Sequence, residues 1–309
     1  MVSYWYDVST EEQVTLFVGI DGGGTGCRVL LCDASGTQLG SGRAGSANIV
    51  SDPAAAREHV LQATQAAIGA AGLSDGIITT LSAYLGLAGA NVDSAATRFE
   101  TLLPFRQSHI ASDAVIALHG AIGEGDGAAA IIGTGSVFIQ RKAGLVTSKG
   151  GWGFVVSDLA SGARLGRSLL ETSLLAHEQI RPASTATRTI MERFGNNPQT
   201  LVEFAQAASP AEFGTFAPLV FELAGQKDRN AIAIIGKAVN AIEAILQSME
   251  LARDNPFCLL GGVGPNYAPY LSPHYRKLVR PPLASAVEGA AALAVRHFAG
   301  RRPGLRGAG

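Results

Sequence analysis

The sequence predicts an α/β protein of two duplicated β-β-β-α-β-α-β domains, with a helical insertion in the second and a ligand cleft between them. Three observations carry this. The element order restarts near residue 128, each half opens with a strand, a glycine turn and a strand, and short apolar runs alternate with stretches of helical period. The domains are expected over 1–115 and 116–309, with residues 1–14 flexible, the insertion at about 186–253, and a final helix over 284–298 near the domain junction.

In chain order, Leu16–Ile20, Arg28–Cys32 and Gln38–Ala44 read as strands joined by tight turns. Pro53 then opens a helix to about Ala71, with Val60, Leu61, Ala63, Ala67 and Ile68 near helical spacing. Tyr84–Leu87 and His109–Ser112 are short apolar strands on either side of a helix over Ser94–Leu103. The second half repeats the hairpins with Ala128–Ile132, Val137–Arg141 and Leu145–Ser148, followed by a helix over Ser161–Leu175. After the insertion, whose last helix aligns Ile235, Val239, Ile242, Leu246 and Met249, come strands at Phe257–Leu260 and Lys277–Val279 and the final helix.

Composition excludes several classes. At 309 residues the chain is long enough for two cores, and 47% hydrophobic against 16% charged residues rules out disorder. A net charge of −1 offers no basic excess for nucleic acid or an anionic membrane. The opening Met1–Asp7 lacks a basic stretch followed by an apolar core, and no apolar run reaches the roughly 18 residues of a spanning helix. Cys27, Cys32 and Cys258 are odd in number and lack metal spacing, so reduced buried thiols in a cytoplasmic protein are expected.

The chemistry concentrates in the two glycine turns, Asp21-Gly22-Gly23-Gly24-Thr25-Gly26 and Gly133-Thr134-Gly135-Ser136. A turn with little Cβ shielding exposes backbone N–H groups to phosphate oxygens. Two such turns with a strand ending in Ser112-Asp113 between them point to two halves gripping one nucleotide. Gly40-Ser-Gly42-Arg-Ala-Gly45 matches a dinucleotide pattern, but no helix opens directly after it. No Walker-A run, nucleophile elbow or His-Glu-x-x-His helix is found.

Asp21-Gly-Gly-Gly-Thr-Gly, Ser112-Asp113, Gly133-Thr-Gly-Ser136, Gly150-Gly-Trp-Gly153 and Gly261-Gly-Val-Gly264 occur in the order seen in the actin–hexokinase–chaperone ATPase superfamily. Over roughly 16–298 the chain resembles the branch holding N-acetylglucosamine kinase, bacterial glucosamine kinase and the BadF/BadG/BcrA/BcrD ATPases. Ala44-Gly-Ser-Ala-Asn48 and Ser157-Asp158 with Ser161-Gly162-Ala163 resemble the glucosamine kinases most. The resemblance implies ribonuclease H-like domains, an ATP- and Mg²⁺-dependent kinase acting on the 6-hydroxyl of glucosamine or N-acetylglucosamine, and a homodimer.

Site residues follow from motif and resemblance together. Gly22, Gly23, Gly24, Thr25, Gly133, Thr134 and Gly135 are expected at the phosphates, and Gly261, Gly262 and Gly264 at adenosine. Asp21, beside the first turn, is the expected metal carboxylate, or an Asp capping a turn. Asp113 is the expected base for the sugar hydroxyl, a role compatible with capping the helix Ala114–Gly120. Asn48, Asp113, Ser136, Trp152 and Asp158 are the expected sugar ligands. Trp152 reads equally as a core tryptophan, Asn48 as a turn residue, Asp158 as a helix cap, and the 261–264 glycines as a strand-to-helix turn. The family's Gly-Asp-Glu-Gly-Ser loop reads Ser157-Asp158-Leu159-Ala160-Ser161 here, which bears on acyl-group preference.

Two other functions stand beside the kinase. An activator ATPase carrying an iron–sulfur cluster needs cysteines near the domain junction, and none lies between Cys32 and Cys258. A non-catalytic sugar-binding regulator needs a DNA-binding helix-turn-helix, for which the stretch before Leu16 is too short.

Overall fold

The computed structural model describes residues 15–299; the flexible segment expected over 1–14 lies outside them. The chain forms two compact units. The first ends at Ile116 and resumes at Ala286, and the second is Ala117–Ser285.

In the first unit, β1 (Phe17–Gly22), β2 (Cys27–Cys32) and β3 (Gln38–Ala44) form an antiparallel meander, and β4 (Ser82–Leu87) and β5 (Gln107–Ser112) extend it in parallel. The sheet order is β3-β2-β1-β4-β5. Central β1 is buried along its whole length, which explains its unbroken apolar run. Val18 and Ile20 face α1 (Pro53–Ala70) and α2 (Asp93–Glu100), whose Val60, Ala67, Ile68 and Phe99 fill that core. Asp52 caps α1 by accepting from the Ala55 amide, and Pro53 sits at its first position, where no N–H is needed.

The other face, with Phe17, Leu30, Cys32 and Tyr84, is covered by residues from the start of α3 (Asp113–Ile122) and by the last helix, Ala286–Phe298. That helix therefore belongs to the first unit, which corrects the sequence grouping of 116–309. Gly19 explains the fit: a Cβ there would overlap the Ala291 backbone. Gly42, part of the dinucleotide-like run, plays the same role on β3, where a Cβ would strike the Ala63 carbonyl of α1.

The second unit holds β6 (Gly127–Ile132), β7 (Ser136–Lys142), β8 (Leu145–Gly150) and a short β9 (Phe257–Leu260) in the order β8-β7-β6-β9. One face packs on α4 (Gly162–His177) and on the insertion of α5 (Thr185–Arg193), α6 (Pro198–Ala207), α7 (Pro210–Gly214), α8 (Ala217–Gly225) and α9 (Arg229–Ser248). Helix α9 has the length and mean hydropathy (1.3) of a membrane span, but Ile234, Ile235, Val239, Ile242 and Leu246 are buried in this core. The strand expected at Lys277–Val279 is a single bridge, Phe257 to Val279, after the short α10 (Pro273–Arg276). Pro281 and Pro282 follow it and offer no N–H to continue a ladder. The final helix, α11, starts at Ala286 rather than at 284.

The close approach of α1 to β3 is testable. Gly42→Ala should destabilise the protein by about 1–3 kcal/mol, the usual range for overpacking, measured by chemical unfolding.

Candidate active site

Each unit carries one glycine turn. The parallel strands β1, β4 and β5 end together at Gly22, Leu87 and Ser112, the strand ends outside which α/β sheets take their ligands. The turn's carbonyls are tied back: Gly22 O accepts from the Ala88 amide (2.7 Å), Gly23 O from Ala47 (2.9 Å) and Gly26 O from Gly23 (2.9 Å). The amides of Gly24 and Thr25 have no backbone acceptor among the described residues, and both residues are exposed. A turn with several acceptors satisfied and two exposed amides left without a backbone partner suits an anion.

Asp21, 9% exposed, precedes this turn on β1. Arg28 faces it across the hairpin, Nε to Oδ2 3.4 Å. Burial raises the Asp21 pKa; Arg28 opposes the rise and the nearby charge of Asp113 adds to it. Asp113 opens α3 directly after β5 and accepts from the Ala114 amide (2.9 Å). Its pKa is also raised by burial, against the pull of backbone N–H groups. Two carboxylates thus share one poorly solvated space. Arg28 was not singled out in the sequence, although hairpin symmetry signals it: with Gly22 opposite Cys27, Asp21 must face Arg28.

Asn48 lies on the same edge, in the loop whose Ile49 amide bonds Ala88 O (3.1 Å). Its Oδ1 accepts from the Val50 and Ser51 amides (3.0 and 3.1 Å), so the side chain shapes a turn and keeps its Nδ2 donors for another partner.

In the second unit the turn resolves its polarity the same way. Gly133 O and Thr134 O accept from the Gly162 and Ala163 amides at the start of α4 (2.8 and 3.2 Å), and Gly135 O from Gly133 (2.9 Å). The Thr134 and Gly135 amides have no backbone acceptor among the described residues. Gly261 (φ +80°) and Gly262 lie beside it, because the Val263 amide bonds Ile132 O (3.0 Å) at the end of β6. Gly264 also packs at the β6 end, near Leu259 and Ile132.

Of the sugar candidates in this unit, Ser136 is buried and donates its hydroxyl to Leu159 O (2.7 Å), so it holds a loop rather than presenting itself. Asp158 is 8% exposed, stands at φ +52° and accepts from the Gly153 amide (3.2 Å). Burial raises its pKa, opposed by the Gly153 and Ser136 amides and by Arg164. Trp152 is 74% exposed, which excludes the core reading. Tyr267, which the sequence analysis did not single out, donates to Ala160 O (2.7 Å) and fixes the far end of this loop.

Residues 18–294 match the profile of the BadF/BadG/BcrA/BcrD ATPase family. The chain belongs to this family. Over 276 residues it is 34% identical to glucosamine kinase GspK of Vibrio cholerae, covering 89% of this chain and 94% of that protein. It is 27% identical over 270 residues to the N-acetyl-D-glucosamine kinase of Dictyostelium discoideum, covering 79% and 83% respectively. A solved structure from Chromobacterium violaceum, provisionally assigned as an N-acetylglucosamine kinase, superposes with a TM-score of 0.83 at 30% identity, covering 91% of this chain and 99% of that one.

Membership of this ATPase family implies ATP as the nucleotide. The residues also fit Mg²⁺, which takes oxygen ligands and keeps several waters. Asp21 would supply the carboxylate oxygen, in a place where the neighbouring charge of Asp113 would be offset by a divalent cation, and no cage of three or more His, Cys, Asp or Glu exists among the described residues.

The raised pKa of Asp113 couples activity to stability. A carboxyl that holds its proton more tightly when folded stabilises the protein below its unfolded-state pKa, and that contribution is lost as pH rises through the folded value. A base must be ionised, so kcat/KM should fall as pH drops through the folded pKa, with its acid limb above 3.8. Asp113→Asn should lower turnover by about 10²–10⁴-fold, a typical general-base contribution. Its melting temperature should be no lower than that of the parent; pH–rate profiles and thermal melts check both.

Proposed function

We propose that this protein is an amino-sugar kinase that transfers the γ-phosphoryl group of ATP to the 6-hydroxyl of glucosamine or N-acetylglucosamine. The observation that carries the reading is the half-buried Asp113 within electrostatic reach of the buried Asp21 at the end of β1. Family membership and 34% identity to a glucosamine kinase support it.

Asp113 accepts the hydroxyl proton as the new O–P bond forms and the bond to the β-phosphate oxygen breaks, releasing ADP. The Gly24, Thr25, Thr134 and Gly135 amides take phosphate oxygens, and Gly261, Gly262 and Gly264 leave room for adenosine. Asp21 would hold Mg²⁺ largely through waters; the bound ion neutralises phosphate charge. Asn48 Nδ2 and the Asp158 carboxylate contact sugar hydroxyls, and Trp152 covers a sugar face. The activator reading is disfavoured: a cluster is held by cysteine thiolates, and no cysteine lies between Cys32 and Cys258 to supply them near the domain junction.

A coupled ADP-release assay with glucosamine, N-acetylglucosamine, N-acetylmannosamine and glucose tests this. The expected result is sugar-dependent ADP release with one of the first two and a 6-phosphate product; release without phosphorylation of any sugar overturns it. Asp21→Asn should raise the Mg²⁺ concentration needed for half-maximal rate, by about tenfold or more for a lost metal carboxylate.

A further inference from the structure

The loop from Gly150 to Ser161 touches the second glycine turn through Asp158. Its carboxylate lies so close to the turn that a Cβ on Gly135 would come within 2.9 Å of Oδ2, while Oδ1 accepts from Gly153. The Ser136 amide also faces this carboxylate. A buried negative charge therefore rests beside the turn whose Thr134 and Gly135 amides are left for an anion, and a phosphate drawn to them would meet a like charge.

The loop around this contact has features of a segment with a second course. Asp158 and Ala160 hold φ of +52° and +64°, a region disfavoured for L side chains. Gly150, Gly151 and Gly153 also have positive φ. Trp152, Val155 and Val156 are 74%, 79% and 83% exposed, and of this stretch Phe154 is the residue that packs on the core, against Phe213. Besides its internal bonds, among them the Ser157 amide to Gly153 O (2.9 Å), it is tied to its surroundings by Ser136 Oγ to Leu159 O, Tyr267 Oη to Ala160 O and Arg164 Nη1 to Phe154 O (3.4 Å).

We propose that Asp158 is a specificity residue that guards the second glycine turn: without sugar its carboxylate rests on Gly135 and opposes phosphate, and an amino-sugar diol draws it away. This rests on the kinase reading above and extends it, because it makes phosphate uptake depend on the acceptor and so discriminates against water. Linkage then requires the reciprocal effect, with sugar and ATP each tightening the other.

The test is equilibrium binding of a non-hydrolysable, imido-bridged ATP analogue to the full chain with Mg²⁺, with and without glucosamine. In the parent protein glucosamine should tighten the analogue at least fivefold. Asp158→Asn keeps an oxygen for the Gly153 amide and removes the charge; it should bind the analogue at least fivefold tighter without sugar and lose the coupling. An unchanged or weaker analogue affinity in Asp158→Asn, or no effect of glucosamine on the parent, overturns the guard. Failure of the kinase reading is read separately, as no phosphorylated sugar in the turnover assay, because the sugar-free arm needs no turnover.

Discussion

The strand ends of the first unit bring the buried Asp21 and the half-buried Asp113 within electrostatic reach of one another. Two like charges so placed raise the free energy of the ionised state, and burial is the largest contribution on each. Partial relief comes from Arg28 on Asp21 and from the Ala114 amide on Asp113. The ionised pair is thus left with uncompensated charge, which is what the proposed kinase reading uses. Perturbed carboxylates in such a setting mark function more than architecture.

Strand order makes the pairing possible. The parallel register of β1 with β4 and of β4 with β5 aligns Gly22, Leu87 and Ser112, so the residues leaving β1 and β5 reach one edge although about ninety positions separate them in sequence. That register depends on close packing on both faces. The Gly19 contact with α11 and the Gly42 contact with α1 set the helices at distances that larger residues would forbid. The chain's last described helix thus helps to fix the position of its first acidic site residue.

Much of this was legible in the sequence. Strand–turn–strand signals are local and strong, and β3 at Gln38–Ala44 and the start of α1 at Pro53 match their expected positions. The two glycine turns were legible because backbone chemistry needs glycine whatever the context. Three features were not. The strand at Lys277–Val279 has the right composition but is stopped by neighbouring prolines, which a propensity reading underweights. The grouping of α11 depends on a contact with Gly19 more than 260 residues away. Ser136, part of a phosphate-turn motif, turns its hydroxyl to Leu159 because β7 alternation aims it inward, a matter of register that the motif alone does not contain.

The two turns reach one electrostatic arrangement by different means, which argues that the arrangement itself was the target. In the first, the amides of Ala47 and Ala88, both in loops, fix the carbonyls. In the second, the opening amides of α4 do so and bring the positive end of a helix behind the turn. Both leave two adjacent N–H groups without a backbone acceptor among the described residues, at 24 and 25 and at 134 and 135. A peptide turn left to itself exposes donors and acceptors alike and favours neither charge. Tying back most of the acceptors while leaving two neighbouring amides without a backbone partner tilts it toward an anion, and glycine is then required less for flexibility than for access. The carboxylates beside the turns differ in their partners: Asp21 has a cation across the hairpin, whereas Asp158 lies against the turn's own backbone, so the charge beside the first turn is partly offset by a side chain and that beside the second by backbone amides and the charge of Arg164.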